Sequence, residues 1–126
     1  MDAIDKEIMD EIRRVEELMR GHFNARTSIE VSSGDGWVEF LAFGKYEGRW
    51  QFLIVVGMVD DDEPDTRPLL AHGREKRAEV VAGGYIRKLV MHAVEQYQRE
   101  MSERAAGLTD LRRLVAELAS AGKAGV

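Results

Sequence analysis

The apolar positions at the start of the chain recur every three or four residues, the spacing of one face of an α-helix. Between residues 2 and 20 this stripe consists of Ile4, Ile8, Ile12, Val15 and Met19. Acidic residues gather near its start and arginines toward its end, as the helix dipole favours. The pattern predicts an N-terminal helix over residues 2–20, with Gly21 as its left-handed C-cap.

The pattern then changes to that of a β-hairpin over residues 37–59. Two runs rich in aromatic and β-branched residues flank Tyr46-Glu47-Gly48, which is a strand and turn signal. Because glutamate tolerates positive φ poorly, we expect a three-residue loop in which Gly48 is the left-handed bulge residue. In that register one sheet face is wholly apolar: Val38, Phe40, Ala42, Trp50, Phe52, Ile54 and Val56. The opposite face is mixed: Trp37, Glu39, Leu41, Phe43, Lys45, Arg49, Gln51, Leu53 and Val55.

Shorter segments surround this hairpin. A strand over residues 28–32 and a tight turn at Gly34-Asp35-Gly36 precede it, so the sheet is predicted to be a three-stranded antiparallel meander. Residues 60–65 follow it and carry five carboxylates in six positions. Pro64 and Pro68 are expected to exclude a regular strand or helix interior here. This stretch is therefore interpreted as an acidic loop.

The last half of the chain is predicted to hold two helices. A broad apolar stripe runs from residue 74 to residue 104, and Gly83-Gly84 within it indicates a kink or a close approach to another element. Thr109 is the expected N-cap of a short final helix that Gly122 ends. Its narrow apolar seam must dock within the chain or on a second protomer: Leu111, Leu114, Val115 and Leu118. Residues 123–126 are expected to be a frayed tail.

These elements predict one α+β domain over residues 1–126. The order is an N-terminal helix, a three-stranded antiparallel meander, a long helix and a short C-terminal helix. In this order the chain resembles small acidic secretion chaperones and bacterial immunity-type proteins, which also place a helix before a meander. No motif accompanies the resemblance, so no functional residue is transferred from it.

The composition argues against several classes of function. The 126 residues are 44% hydrophobic and 33% charged, and no apolar run approaches the length of a membrane span. A net charge of −5 disfavours nucleic-acid binding, and the absence of cysteine excludes disulfides and thiolate chemistry. The acidic N-terminal residues differ from a signal peptide, so we expect a cytoplasmic protein.

Catalytic patterns are missing. The three histidines lack the i, i+4 spacing of a helical metal site, and neither a nucleophile elbow nor a glycine-rich phosphate loop occurs. No catalytic residue, metal or cofactor is predicted. The leading hypothesis is a non-enzymatic protein-binding module, such as an adaptor, chaperone or inhibitor, that forms a homodimer.

The expected interface of this module combines the mixed sheet face with the last helix: Trp37, Leu41, Phe43, Leu53, Leu111, Leu114 and Leu118. The alternative hypothesis is a small enzyme or ligand-binding domain. Its site would use the acidic loop 60–65, chiefly Asp60 and Asp62, together with His72 and Arg74.

Overall fold

The computed structural model describes residues 2–60 and 62–124, with side chains described as far as residue 122. These described residues form three α-helices: α1 (Ala3–His22), α2 (Arg74–Ala82) and α3 (Tyr85–Ala124). The strands are β1 (Thr27–Gly34), β2 (Trp37–Tyr46), β3 (Arg49–Met58) and β4 (Asp65–Pro68), and a 3₁₀ turn spans Leu69–Ala71. The α+β class is confirmed. The chain divides into two compact units, residues 1–93 and residues 94–126.

The sheet has four antiparallel strands in the order β1-β2-β3-β4, so the prediction of three strands was wrong. β4 lies in the stretch where Pro64 and Pro68 were expected to exclude a strand. Pro64 precedes β4 and Pro68 is its last residue, paired with Leu53. A proline at the end of an edge strand interrupts no ladder hydrogen bond, so both prolines are compatible with pairing.

The hairpin turn also differs from the prediction. Tyr46 pairs with Arg49, which leaves the two-residue loop Glu47-Gly48 with φ values of 51° and 80°. Positive φ at both positions is the geometry of a type I′ turn, whose twist matches that of the flanking strands. The predicted three-residue loop would avoid the strain of positive φ at Glu47. In the structure Glu47 adopts positive φ, and the turn matches the twist of the flanking strands. The register is therefore shifted by one residue, and Phe43 pairs with Phe52.

A shift of one residue in the pairing of β2 with β3 changes which side chains of the two strands share a face. The mixed face predicted from the sequence therefore does not exist. The first face of the sheet carries the aromatic core, including Leu41, Phe43, Trp50, Phe52 and Ile54. The second face carries a smaller apolar cluster of Ala42, Leu53 and Val55, with Phe40 and Tyr46 packed against it. The sheet is thus apolar at the centre of both faces.

The main core lies between the first face and the helices of residues 1–93. Ile12 and Met19 of α1 and Val80 of α2 are buried in it, as is Leu89 at the start of α3. These helical side chains cover an aromatic cluster in which the Phe43 ring stacks on Trp50 at 5.7 Å and meets Phe52 edge-on at 5.6 Å, measured between ring centroids. Packed aromatic pairs of this kind add to the stabilisation from burial alone.

Helix α1 is confirmed and extends slightly beyond the predicted end. An Asp2 carboxylate oxygen accepts the Asp5 N–H at 2.7 Å, which caps the first turn. The helix passes through Gly21 and ends at His22, where the Phe23 N–H donates to the Met19 carbonyl at 2.7 Å. Gly21 therefore does not act as the C-cap.

The helix boundaries in the last half of the chain were predicted wrongly. Gly84, at φ 69°, lies between α2 and α3, whereas the expected boundary before Thr109 is absent. Gly107 and Thr109 lie inside α3, and the Thr109 hydroxyl donates to the Ala105 carbonyl at 3.1 Å. A threonine that bonds back to the preceding turn does not cap a new helix.

The C-terminal residues of the described chain remain helical. Of the predicted frayed tail, residues 123 and 124 continue α3, and residues 125 and 126 lie outside the described part. Among the described residues, no helix combines the length and apolarity needed to cross a membrane.

Candidate protein-binding surfaces

The second unit presents a row of apolar side chains along α3, which we call the α3 seam. Every described side chain from residue 97 to residue 122 is exposed. Five apolar residues in this stretch follow the alternating spacing of three and four that places a and d positions of a coiled coil on one stripe. They are Met101, Leu108, Leu111, Val115 and Leu118, which are 43%, 48%, 59%, 67% and 63% exposed.

The spacing of the α3 seam has one interruption. Counting Met101 as an a position makes Arg104 the following d position, between Met101 and Leu108. The flanking e and g positions nearest to it are small, Ala105 and Gly107. Leu114 occupies the next g position and is 46% exposed, so it widens the apolar stripe on one side. The seam is thus apolar except at a single charged layer.

A second apolar surface lies in the first unit, between α1 and the α2–α3 junction. We call it the α1–α2 groove, and its volume is about 410 Å³. Its apolar walls are exposed in part, with Ile4 at 70% and Val81 at 40%. Glu7, Glu11 and Arg87 also line it. The apolar lining consists of Ile4, Ile8, Ile12, Val15, Val81 and Ile86.

The sequence predicts the apolar stripe of α1 but not which part of that stripe stays exposed, so the groove was not predicted. The apolar side of α1 is wider than the sheet face can cover. Ile12 and Met19 reach the core, whereas Ile8 and Val15 are half-buried at its margin. Leu18, three residues beyond Val15 in α1, is 67% exposed and is a further apolar side chain that this helix leaves uncovered.

The sheet residues expected to bind a partner lie mostly inside the protein. Leu41, Phe43 and Leu53 are completely buried, because the register shift places Leu41 and Phe43 in the main core and Leu53 in the second cluster. Trp37 is 37% exposed, and its indole lies against Gly34 on the neighbouring strand. Of the predicted interface, the exposed members are therefore Trp37 and three residues of the last helix: Leu111, Leu114 and Leu118.

The residues of the alternative ligand site have different surroundings. Arg74 donates from Nη1 to the Asp2 carboxylate at 3.0 Å, at the start of α1. Asp60 and Asp62 are exposed, and Asp61 lies outside the described residues. Across the described ranges, no group of three or more acidic or histidine side chains is placed to hold a metal ion. His72 is half-buried, and burial, together with the nearby Arg67 and Lys76 charges, lowers the pKa of its imidazole.

A polar cluster that the sequence did not indicate lies on the first sheet face. Glu39 is 7% exposed, and its two carboxylate oxygens accept from Lys76 Nζ at 3.2 and 3.0 Å. The Ser32 hydroxyl donates to the same carboxylate at 3.3 Å, and Lys76 also pairs with Glu79 at 3.2 Å. Burial lowers the pKa of Lys76, but the hydrogen bonds to both glutamates outweigh it and raise the pKa overall. Lys76 therefore stays charged, which suits a structural ion pair better than a nucleophile.

Two buried acids of α1 fix this helix, and hence one wall of the groove. Asp5 forms a two-point ion pair with Arg77 of α2. Glu16 accepts the backbone N–H of Phe52 at 2.8 Å, and Arg20 Nε donates to the Trp50 carbonyl at 2.7 Å. β4 pairs with β3 only from Leu53 onward, so these two α1 side chains bind the stretch of the β3 edge that β4 leaves open.

Comparison with known proteins identifies no relative. No family model, no curated protein and no solved structure matches the chain. The α3 seam and the α1–α2 groove are therefore the features of the molecule that bear on its function.

Proposed function

We propose that the protein is a non-enzymatic protein-binding module that forms a homodimer through the α3 seam. The observation that supports this is the exposure of Met101, Leu108, Leu111, Val115 and Leu118 at coiled-coil spacing on one helix. Such spacing buries its apolar residues only against another helix. A second copy of the chain supplies a helix with the same spacing at the same concentration, and symmetric dimers are the commonest oligomers.

Removal of the seam from water is the driving force for association. The five seam side chains are 43–67% exposed in the single chain, so packing against a second helix removes their remaining apolar surface from water. The isolated seam, by contrast, leaves this apolar surface in water.

The α1–α2 groove supports the binding part of the proposal. It is open and apolar, and a symmetric dimer carries it twice, which is useful to an adaptor, chaperone or inhibitor. Trp37, half-exposed at the end of β2, is a further candidate contact. The proposal includes a cytoplasmic location, as expected from the sequence.

The test compares two variants that carry the same number of added charges. Leu111→Glu with Leu118→Glu places two carboxylates in the α3 seam. Ala106→Glu with Ser120→Glu places two carboxylates at f positions of the same helix, opposite the seam. Sedimentation or light scattering is expected to return twice the 14.2 kDa chain mass for the wild type and the f-position variant, and the single-chain mass for the seam variant. Circular dichroism checks that all three are folded.

A wild-type mass of one chain at concentrations up to 100 micromolar contradicts self-association through the seam. Loss of the dimer in both variants contradicts the assignment to the seam face, because the two variants then act through charge rather than position. Replacement of Asp60 and Asp62 by Asn is expected to leave the dimer intact, since neither residue belongs to the proposed surface.

A further inference from the structure

We propose that the two copies pack their α3 seams antiparallel, with Met101 of one copy opposite Leu111 of the other and the two-fold axis beside Ala106. This inference rests on the proposed homodimer and adds its orientation and register. The orientation follows from the placement of the one charged residue, Arg104, in an otherwise apolar exposed seam, and the register from the small residues Ala105 and Gly107 beside the proposed axis.

Arg104 distinguishes the two orientations. In a parallel dimer in register, each d position faces its own copy, so the two guanidinium groups of Arg104 meet across the dimer axis. Like charges in a seam that excludes water repel strongly, because the local dielectric is low. In an antiparallel dimer each a position faces a d position instead. The proposed register places Arg104 opposite Leu108, and the two guanidinium groups lie on opposite sides of the axis.

The antiparallel register places at least one apolar residue in each of the four central layers, including the two layers that contain Arg104. Met101 lies opposite Leu111 and Arg104 opposite Leu108, and the symmetry repeats both layers. The long arginine stem can pack along Leu108 while its charged end reaches water. Val115 and Leu118 then lie opposite positions 97 and 94 of the second copy.

The residues around the proposed axis suit a crossing point. Ala105 and Gly107 occupy the e and g positions on either side of the proposed axis, and no heavy atom other than those of the local helix lies within 4 Å of a Cβ built on Gly107. Small residues at these flanking positions let two helices approach closely. In the antiparallel arrangement the positive end of each helix dipole also lies toward the negative end of the other, which is favourable.

One preference favours the parallel alternative. Parallel dimers prefer β-branched residues at a and leucine at d. Of the exposed a positions, however, only Val115 is β-branched, whereas Met101 and Leu108 are not. The preference is thus met by Val115 at a and by Leu111 and Leu118 at d, while the repulsion at Arg104 opposes the parallel dimer.

The absence of cysteine from the chain allows a direct test by disulfide trapping. Met101→Cys is prepared with a mass tag and Leu111→Cys without one. The two are mixed under reducing conditions, allowed to exchange and then oxidised. A disulfide forms only where Cα atoms lie within about 7 Å, so each orientation yields a different product. We expect the main product to be the disulfide between the tagged Met101→Cys chain and the untagged Leu111→Cys chain. Disulfides between two tagged chains, or between two untagged chains, should not form.

The possible outcomes separate this inference from the proposed function. Like-with-like disulfides of Leu111→Cys indicate a parallel dimer, which overturns the orientation and leaves the homodimer standing. A dimer by sedimentation that yields neither product also overturns the register. A wild-type chain that sediments as a monomer overturns both proposals. Ser120→Cys, at an f position, is the matched control and is expected to give no disulfide with either variant.

Discussion

Arg77 and Asp5 form a buried two-point ion pair that joins α2 to the first turn of α1. Nη2 of Arg77 donates to one Asp5 carboxylate oxygen at 2.7 Å and Nε donates to the other at 3.1 Å. The side chains are 7% and 5% exposed. Nη1 of Arg77 also donates to the His72 carbonyl, so the guanidinium ties the loop before α2 to the same point. The pair therefore fixes the position of α1, which forms one wall of the groove.

Removing Arg77 is expected to be strongly destabilising. Arg77→Met leaves the Asp5 carboxylate buried without its cation, and breaking a buried pair in this way costs about 3–5 kcal/mol. The measurement is the free energy of unfolding in urea. Arg74→Met is the matched control, because Arg74 pairs with Asp2 at 3.0 Å with both side chains exposed, and such pairs contribute less than about 1 kcal/mol. Equal losses in the two variants would show that the buried pair has no special role.

Glu16 gives the protein a predictable pH response. Its side chain is 1% exposed, and burial raises the pKa of its carboxyl above the usual value of 4.5, although the bond from the Phe52 N–H and the Arg20 charge oppose this shift. An acid whose pKa is raised in the folded state binds its proton more tightly there than in the unfolded chain. Its contribution to stability is therefore largest at low pH and declines as the pH rises from about 4.5 through the folded pKa.

Glu16→Gln removes this titration and keeps an oxygen that accepts the Phe52 N–H. The difference in unfolding free energy between wild type and Glu16→Gln is expected to become less favourable to the wild type as the pH rises from 4 to 7. Chemical denaturation at several pH values measures it. Glu17→Gln, which changes an exposed neighbour, controls for net charge and is expected to give a flat difference. A flat difference for Glu16→Gln as well contradicts the assignment.

Phe43 is expected to behave as a core residue rather than as a binding anchor. It is fully buried between Trp50 and Phe52, so Phe43→Ala leaves a cavity and should cost about 3–5 kcal/mol. Urea denaturation followed by tryptophan fluorescence measures the loss. Trp37→Ala is the comparison and should cost much less, because Trp37 is 37% exposed. A folded Phe43→Ala variant of wild-type stability would contradict the observed register.

The sequence predicted the elements of residues 1–58 well and their register poorly. Apolar periodicity identifies α1 and the hairpin strands because burial acts over many residues. The choice between a two- and a three-residue loop depends instead on one residue, Glu47, whose strain is opposed by the twist of the whole hairpin. Residue propensity reflects only the local cost of positive φ at Glu47, so it favoured the three-residue loop, which was wrong. That single error moved Leu41 and Phe43 from the core to a predicted binding face.

The last half of the chain shows the same limit at helix ends. Gly83-Gly84 and Gly107 are both breaks by propensity, but only the first pair ends a helix. At Gly84 the chain adopts φ 69° between α2 and α3, and the next residues of α3 pack, with Ile86 lining the groove and Leu89 in the core. At Gly107 no such packing requirement exists and the helix continues. The exposed α3 seam was nevertheless predictable in part, because Leu111 and Leu118 follow helical spacing wherever the helix begins.

This contrast between the two glycines supports a final prediction, in which the same substitution has opposite effects. An alanine at Gly84 must adopt positive φ, which costs roughly 1–2 kcal/mol for a residue with a Cβ, although the site has open space. An alanine at Gly107 meets open space in a regular helix, where alanine is favoured over glycine by roughly 1 kcal/mol. Gly84→Ala should therefore destabilise its unit and Gly107→Ala should stabilise α3.

The two units can be followed separately in this experiment. Both tryptophans, Trp37 and Trp50, lie in residues 1–93, so their fluorescence reports the unit that contains Gly84. Far-UV circular dichroism also reports the helix around Gly107. We expect Gly84→Ala to lower the denaturation midpoint seen by fluorescence, and Gly107→Ala to raise the thermal midpoint of the helical signal while leaving the fluorescence transition unchanged. If Gly84→Ala is neutral, the left-handed junction between α2 and α3 is not present in solution; if Gly107→Ala lowers helicity, α3 is interrupted there, and the continuous α3 seam on which dimerisation depends is lost with it.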